Sequence, residues 1–268
     1  KDYMPSQNEI AWVENRLNAP LEVKKAFQFL RSDDPRTKRD GENYIPTDQL
    51  YVLSPDGQPI NFKKARRFTR SEMMVMEMLS TNQWKRPMYF AVTIGEDYHL
   101  GLNPYLELTG MAYCITPERS KDGKPRVNTE VMYDNMLHKF KYGNMNVPGI
   151  YIDENTMRMC RTHRMMFCQL AEALYYEGKR DKALEVLDYA EEMLPGYNVP
   201  YDYTSGTMAA LYYAMDEMEK GNAIMAVLAD NCVEYMEWGA SLSAPERKAA
   251  QSTLGHYSAL LGFVVNNL

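Results

Sequence analysis

Residues 167–195 read FCQLAEALYYEGKRDKALEVLDYAEEMLP, and this stretch, from Phe167 to Pro195, decides the fold. It carries the spacing of a tetratricopeptide unit, a 34-residue pair of helices with small and large residues at set positions. Phe167, Leu170, Ala171 and Leu174 occupy the signature positions of the first helix. Ala183, Leu187, Ala190 and Pro195 occupy those of the second. The small residues let two helices approach closely, and the large ones fill the groove between them. Gly178 breaks the chain where the turn must fall, and Asp181 is placed to cap the second helix.

Reading outward, the pattern recurs with less regularity. Met208, Ala209 and Tyr212 form one helix face, and Gly221, Met225 and Leu228 form the next. About four residues are inserted at Gly196 to Tyr203 relative to the ideal repeat. Ser243-Ala244-Pro245-Glu246 is a capping box that opens a last helix running to about Val265. A terminal helix of this kind covers the open end of a repeat stack. Everything from Thr156 onward is thus expected to be helical.

The other half has a different texture. Gln7 to Leu17 and Leu21 to Arg31 suggest helices, separated by Pro20, and a polar charged loop spans Arg36 to Asn43. Gln49 to Leu53 and Gln58 to Phe62 suggest a hairpin around Ser54-Pro55-Asp56-Gly57, where Pro presets φ and Gly accepts positive φ. Ser71 is placed to cap a helix to about Ser80, with Met74, Val75, Met78 and Leu79 on one face. Met88 to Thr93 is a near-continuous apolar run, as in a strand buried on both faces. Leu108 to Thr116 suggests a further strand and Thr129 to Phe140 a helix. The expected fold class is therefore an α/β (or α+β) layer domain with a small central sheet over residues 1–150, then an all-α tetratricopeptide-like array over 151–268.

Composition sets limits on function. The formal net charge is −6, which argues against nucleic acid as a partner, because phosphate binding needs a basic surface. No stretch approaches the roughly 20 apolar residues of a membrane span. The opening Lys1-Asp2-Tyr3-Met4-Pro5 suggests a piece of something longer. Cys114, Cys160, Cys168 and Cys232 show no C-x-x-C pair and no metal-ligand spacing, so they are expected as buried thiols, with no metal and no cofactor.

Motifs of catalysis are not found: there is no phosphate loop, no nucleophile elbow and no H-E-x-x-H. Three clusters are candidates for binding, the third being the basic run from Lys63 to Arg70. Trp84 and Arg86 could line a sugar- or anion-binding cleft before the Met88 strand, or Trp84 could simply pack and Arg86 pair with a carboxylate. Arg126, Tyr133 and Asp134 gather polar groups on a loop and the helix after it, where ordinary capping and ion pairing are the alternative. Asp97, two residues from His99, is a weak candidate for an acid/base or metal pair. His163 is expected as a core residue on a repeat helix. The basic run Lys63, Lys64, Arg66, Arg67 and Arg70 is either a solvated face or a contact for anionic headgroups.

Several segments together resemble a known family. They are Ser32-Asp33-Asp34-Pro35, Tyr44-Ile45-Pro46-Thr47, and Thr81-Asn82-Gln83-Trp84-Lys85-Arg86-Pro87-Met88-Tyr89-Phe90-Ala91. Gly101-Leu102, Arg126-Val127-Asn128-Thr129, Met132-Tyr133-Asp134-Asn135-Met136 and Asp153-Glu154-Asn155 follow, with the repeats Leu170 to Pro195 and Val199-Pro200-Tyr201. The chain resembles the soluble C-terminal region of the DUF2723 family. Those are polytopic membrane proteins, mostly from Bacteroidetes, that look like protein O-mannosyltransferases. The resemblance implies a location on the periplasmic face of the inner membrane. It also implies catalytic residues in membrane loops outside this region, so none is carried over to a position here. It leads us to expect a non-catalytic docking or acceptor-presenting region, whose partner is its own transmembrane part or a protein or glycan acceptor. The alternatives are glycan or small-ligand binding by the α/β part, and a free-standing hydrolase using carboxylates such as Asp97 and Asp134.

Overall fold

The computed structural model describes residues 10–267. They divide into two compact units, with the division between Asn128 and Thr129. The helix that begins at Thr129 thus belongs with the helical unit.

In the first unit, strand β1 (Ile10–Trp12) is followed by β2 (Leu21–Glu22) and helix α1 (Val23–Leu30). Then come β3 (Lys38–Arg39), β4 (Glu42–Asn43), β5 (Leu50–Leu53), β6 (Pro59–Asn61), β7 (Arg67–Thr69) and helix α2 (Arg70–Asn82). The unit closes with β8 (Tyr89–Ala91), β9 (Leu106–Leu108), β10 (Ala112–Ile115) and β11 (Arg126–Val127). The described strands form several small sheets rather than a single central one: β1-β7, β2-β5-β6, β3-β4 and β11-β9-β10-β8. Helices α1 and α2 pack on each other and on β5. The core beneath them includes Val23, Phe27, Ile45, Leu50, Phe68 and Met76.

The turn at Ser54 to Gly57 forms as its residues dictate. Ser54 Oγ accepts from the Gln58 amide (2.9 Å), Gly57 takes φ +83°, and β5 pairs antiparallel with β6. Four local readings change. Ile10–Trp12 is a strand paired with Arg67–Thr69, not part of a helix, while the start of that reading, Gln7 to Glu9, lies outside the described residues. Helix α2 is capped by Thr69 in a reciprocal capping box with Glu72, not by Ser71, and it buries Met73, Met76 and Leu79. β8 is an edge strand buried on one face only, with Phe90 buried while Tyr89 faces solvent. Leu108 to Thr116 is a reversal: β9 and β10 are antiparallel arms, turning at Gly110 with φ +141°.

The regular elements among the described residues of the second unit are all helical, with an irregular segment over residues 140–153. Helix α3 (Thr129–Asp134) runs into a π-helical turn, Asn135–Lys139. Then follow α4 (Glu154–Tyr176), α5 (Arg180–Met193), α6 (Tyr203–Ala214), α7 (Met218–Ser241), α8 (Ala244–Ala249) and α9 (Gln251–Asn267). α4 packs on α5 and α6, α6 on α7, and α7 on α9. Gly178, at φ +75°, makes the turn between α4 and α5. Asp181 sits in the first turn of α5, where its charge meets the helix's positive end, but the N-cap position is held by Lys179, which makes no side-chain capping bond. The last helix begins with the capping box of Ser243 and Glu246 and is interrupted at Ala250.

Candidate functional site

Phe167, Leu170, Ala171, Leu174, Ala183, Leu187, Ala190 and Pro195 are all buried. They form the seam of the first hairpin. Met208, Ala209, Tyr212, Gly221, Met225 and Leu228 are buried in the same way in the second. The two hairpins are tied by polar contacts that the repeat pattern does not foretell. Tyr212 donates its hydroxyl hydrogen to Asp188 (2.9 Å), and Lys220 donates to the same carboxylate (2.7 Å). Burial and the Asp188 charge together push the Tyr212 phenol well above its usual range.

The inserted segment, Gly196 to Tyr203, has its own anchor. Arg164 on α4 is fully buried. Its Nη2 donates to the Leu194 and Val199 carbonyls (both 2.8 Å), and its Nη1 to that of Pro200 (3.3 Å). The guanidinium also lies 5.5 Å from the Tyr201 ring centroid. Burial lowers its pKa, and the Asp202 and Glu191 charges pull it back up. From the other side, Asn198 Nδ2 donates to the Met145 (2.8 Å) and Val147 (2.7 Å) carbonyls, so the insertion is held at both edges. His163, next to Arg164, packs edge-on against Tyr142 (5.5 Å) and Phe140 (6.5 Å), and burial depresses its pKa.

The candidate binding residues are dispersed. Trp84 packs against the core of the first unit, and its indole N–H donates to the Leu53 carbonyl (2.7 Å). Arg86 is exposed; its backbone is clasped by Asn82, which accepts from the Arg86 amide (3.2 Å) and donates to its carbonyl (2.6 Å). The Asp97 side chain is exposed and its carbonyl accepts from Lys63 (2.6 Å). His99, by contrast, is buried, with its ring 5.0 Å from that of Phe90. Its Nδ1 meets Asn103 Oδ1 (2.8 Å), while the Asn103 amide nitrogen donates to Glu96, so Nδ1 carries the proton. Asp97 and His99 therefore face different surroundings. Arg126 reaches Glu118 (3.4 Å), Thr116 (3.2 Å) and Glu107 (3.8 Å). In the helical unit Tyr133 donates to Glu185 (2.5 Å) beneath Lys182, and Asp134 pairs with Lys139 (2.6 Å). Burial, with Glu185 beside it, pushes the Tyr133 phenol up to about 12, and the Lys139 hydrogen bond holds Asp134 low.

In the basic run, Lys63 pairs with Glu72 (3.4 Å) while Lys64, Arg66 and Arg67 are exposed and Arg70 is half-buried. The three cysteines Cys160, Cys168 and Cys232 are buried, Cys114 is half-buried, and burial pushes the Cys168 thiol up to about 12. Among the described residues, no three His, Cys, Asp or Glu side chains are grouped to hold a metal ion, and no helix is long and apolar enough to cross a membrane.

A feature that the sequence reading passed over as a polar loop lies at residues 38–43. β3 and β4 form a tight hairpin in which Asp40 (φ +54°) and Gly41 (φ +89°) are both left-handed. Asp-Gly is the dipeptide such a two-residue turn prefers, and that was the available signal. Asn43 Nδ2 pins the hairpin by donating to the Leu30 (2.8 Å) and Ser32 (2.9 Å) carbonyls. Arg39 reaches across to Glu14, whose other oxygen accepts from Arg16 Nε (3.2 Å). The hydrogen bond from Arg39 is the main reason the Glu14 carboxyl is held below its usual range. Between this hairpin and the end of β1 lies a cavity of about 310 Å³, with Trp12 on its wall.

The family model described as TMEM260-associated domain 2 matches residues 55–134. Trp84, Arg86, Asp97, Arg126, Tyr133 and Asp134 all fall within that stretch, as does the basic run. No curated protein and no solved structure matches the chain.

Proposed function

We propose that this chain is a non-catalytic docking or acceptor-presenting region of a membrane glycosyltransferase-like protein, on the periplasmic face of the inner membrane. The observation that carries the reading is the pair of hairpins. Their signature residues are spent on the internal seam, while the side chains of Tyr176, Tyr197 and Tyr203 remain exposed at the surface, Tyr197 donating to the Asn146 carbonyl (2.6 Å) and Tyr203 lying against Phe263. The match to a TMEM260-associated domain supports attachment to a membrane protein, and the resemblance to the DUF2723 family supports its kind. The partner is then the protein's own transmembrane part, or a protein or glycan acceptor.

The test is site-specific photocrosslinking in the source cells from Tyr176 and Tyr203. Adducts with the membrane segments of the same protein, or with one defined acceptor, are expected. Adducts as diffuse as those from exposed Lys121 would count against docking by the array. A run of transmembrane helices is expected in the coding sequence upstream.

Two further readings rest on specific observations. The cavity beside Trp12 favours ligand binding by the first unit. The exposed Lys64, Arg66 and Arg67 favour contact with anionic headgroups. For the second, sedimentation with phosphatidylglycerol vesicles should exceed that with phosphatidylcholine, and fall with Arg66→Glu or with added salt. Equal binding to both vesicles would remove it.

A further inference from the structure

We propose that the cavity between the end of β1 and the β3-β4 hairpin is a binding site for a neutral saccharide of one or two rings. This rests on the ligand-binding reading of the first unit and is independent of the docking reading.

Size comes first. At about 310 Å³ the cavity is at the small end of the roughly 300–1,000 Å³ typical of small-ligand sites. It holds a short sugar, not a lipid chain. Shape follows from the hairpin, which is set before any ligand arrives. Asn43 ties it to the chain after α1, the Asp40-Gly41 turn fixes its tip, and Arg39 is fastened to Glu14 on the opposite wall.

The lining then selects among chemical classes. Trp12 is 53% exposed although it lies in a paired strand, which leaves an indole surface available for stacking. The C–H face of a pyranose ring is a natural partner for such a surface, since the face of an aromatic ring carries negative charge and attracts the slightly positive C–H groups. Around it stand Glu14, Arg39, Asp40 and Glu42. Glu14 lies between the guanidinium groups of Arg39 and Arg16, so its charge is largely neutralised. Asp40 and Glu42 add acceptors at the rim, and their charge disfavours phosphates, carboxylates and acidic sugars. Fixed guanidinium donors next to carboxylate acceptors match neighbouring hydroxyls, each of which donates and accepts one bond. A cationic ligand would be drawn by the rim acids and by cation–π attraction to Trp12, but Arg39 opposes it from the cavity wall.

Ligand-observed saturation-transfer NMR on the whole chain tests this, using methyl glycosides of glucose, galactose and mannose, with glucuronate and choline as charged controls. At least one neutral glycoside should give saturable transfer. Trp12→Ala should weaken it about tenfold or more, Trp12→Tyr should retain most of it, and Glu42→Gln should weaken it without altering the melting curve. Arg86→Ala, at the candidate residue beside Trp84, should change nothing. No saturable transfer from any neutral glycoside would overturn the proposal. So would tighter binding of glucuronate or choline, or transfer that survives Trp12→Ala and Glu42→Gln but is lost in Arg86→Ala. None of these outcomes bears on crosslinking from Tyr176.

Discussion

Arg164 shows what a single side chain has to accomplish in this chain. A guanidinium with no exposed surface is costly unless its donors are used; here Nη1 and Nη2 donate to three main-chain carbonyls, while the buried Nε has no hydrogen-bond partner. Two of those carbonyls, Val199 and Pro200, belong to the segment that departs from the repeat and the third, Leu194, ends α5 before it, so the arginine gives an irregular loop the partners that a regular helix would have supplied. Removing it leaves the carbonyls unpaired and opens a cavity. Arg164→Met should cost about 3 kcal/mol in urea unfolding, and Arg164→Lys should recover less than half, because an ammonium cannot reproduce the planar fork. Its neighbour His163 gives a pH signature. Its pKa is lower folded than unfolded, so the native state binds fewer protons. The stability associated with the neutral ring is complete above pH about 6.5 and is lost as pH falls toward the lowered folded value. His163→Phe should flatten the fall in melting temperature between pH 7 and 5; an unchanged slope would show that another group controls it.

At the scale of elements, close packing explains which helix positions tolerate change. A Cβ on Gly221 would sit 2.3 Å from the Tyr213 ring, so α6 and α7 approach through the absence of a side chain. Gly221→Ala should destabilise by about 1–3 kcal/mol despite alanine's better helix propensity. Adding Tyr213→Ala should recover part of that loss in a double-mutant cycle. The end of the array depends on a similar fit. Leu260 and Val264 of α9 are buried, and Tyr257 stacks on Tyr235 of α7 with ring centroids 3.7 Å apart. Truncation after Ser241 should therefore expose the α7 face, lower the melting temperature and promote self-association, measured by light scattering. Helix α2 shows why phase is hard to read. Met73, Met74, Val75, Met76, Met78 and Leu79 are apolar almost without interruption. Both the Met74-Met78 face and the Met73-Met76-Leu79 face were available, and packing against α1 and β5 selected the latter.

For the whole molecule, the two compact units each own a core. The helical unit buries Phe167, Leu170, Leu187, Met208, Met225 and Leu228 among others, and it owes its stability to neighbour-on-neighbour stacking. A fragment of residues 129–268 should therefore fold alone, with strong helical circular dichroism and one cooperative thermal transition. A fragment that stays unfolded would mean that the array needs the rest of the chain. The unit before it is assembled from strands of two to four residues in several small sheets. Such short strands carry little periodic signal, which is why Ile10–Trp12 suggested a helix and residues 38–43 suggested a loop. Ile10, Ala11, Trp12 and Val13 are consecutively apolar and fit either period; pairing with Arg67–Thr69 decided between them.

What the sequence by itself determined is the helical array: its register, its seam from Phe167 to Pro195, the turn at Gly178 and the capping helix. These rest on local periodicity and on residue sizes repeated along one chain. The tertiary structure alone decided the contacts between residues far apart in sequence. Arg164 met the carbonyls at residues 194–200. His99 was buried away from the exposed Asp97. Trp12 and Glu14 came to face the hairpin at residues 38–43 across the cavity. Periodicity records which face of an element is apolar, but it carries no information about which distant polar group will stand opposite, and it is those meetings that make the candidate site.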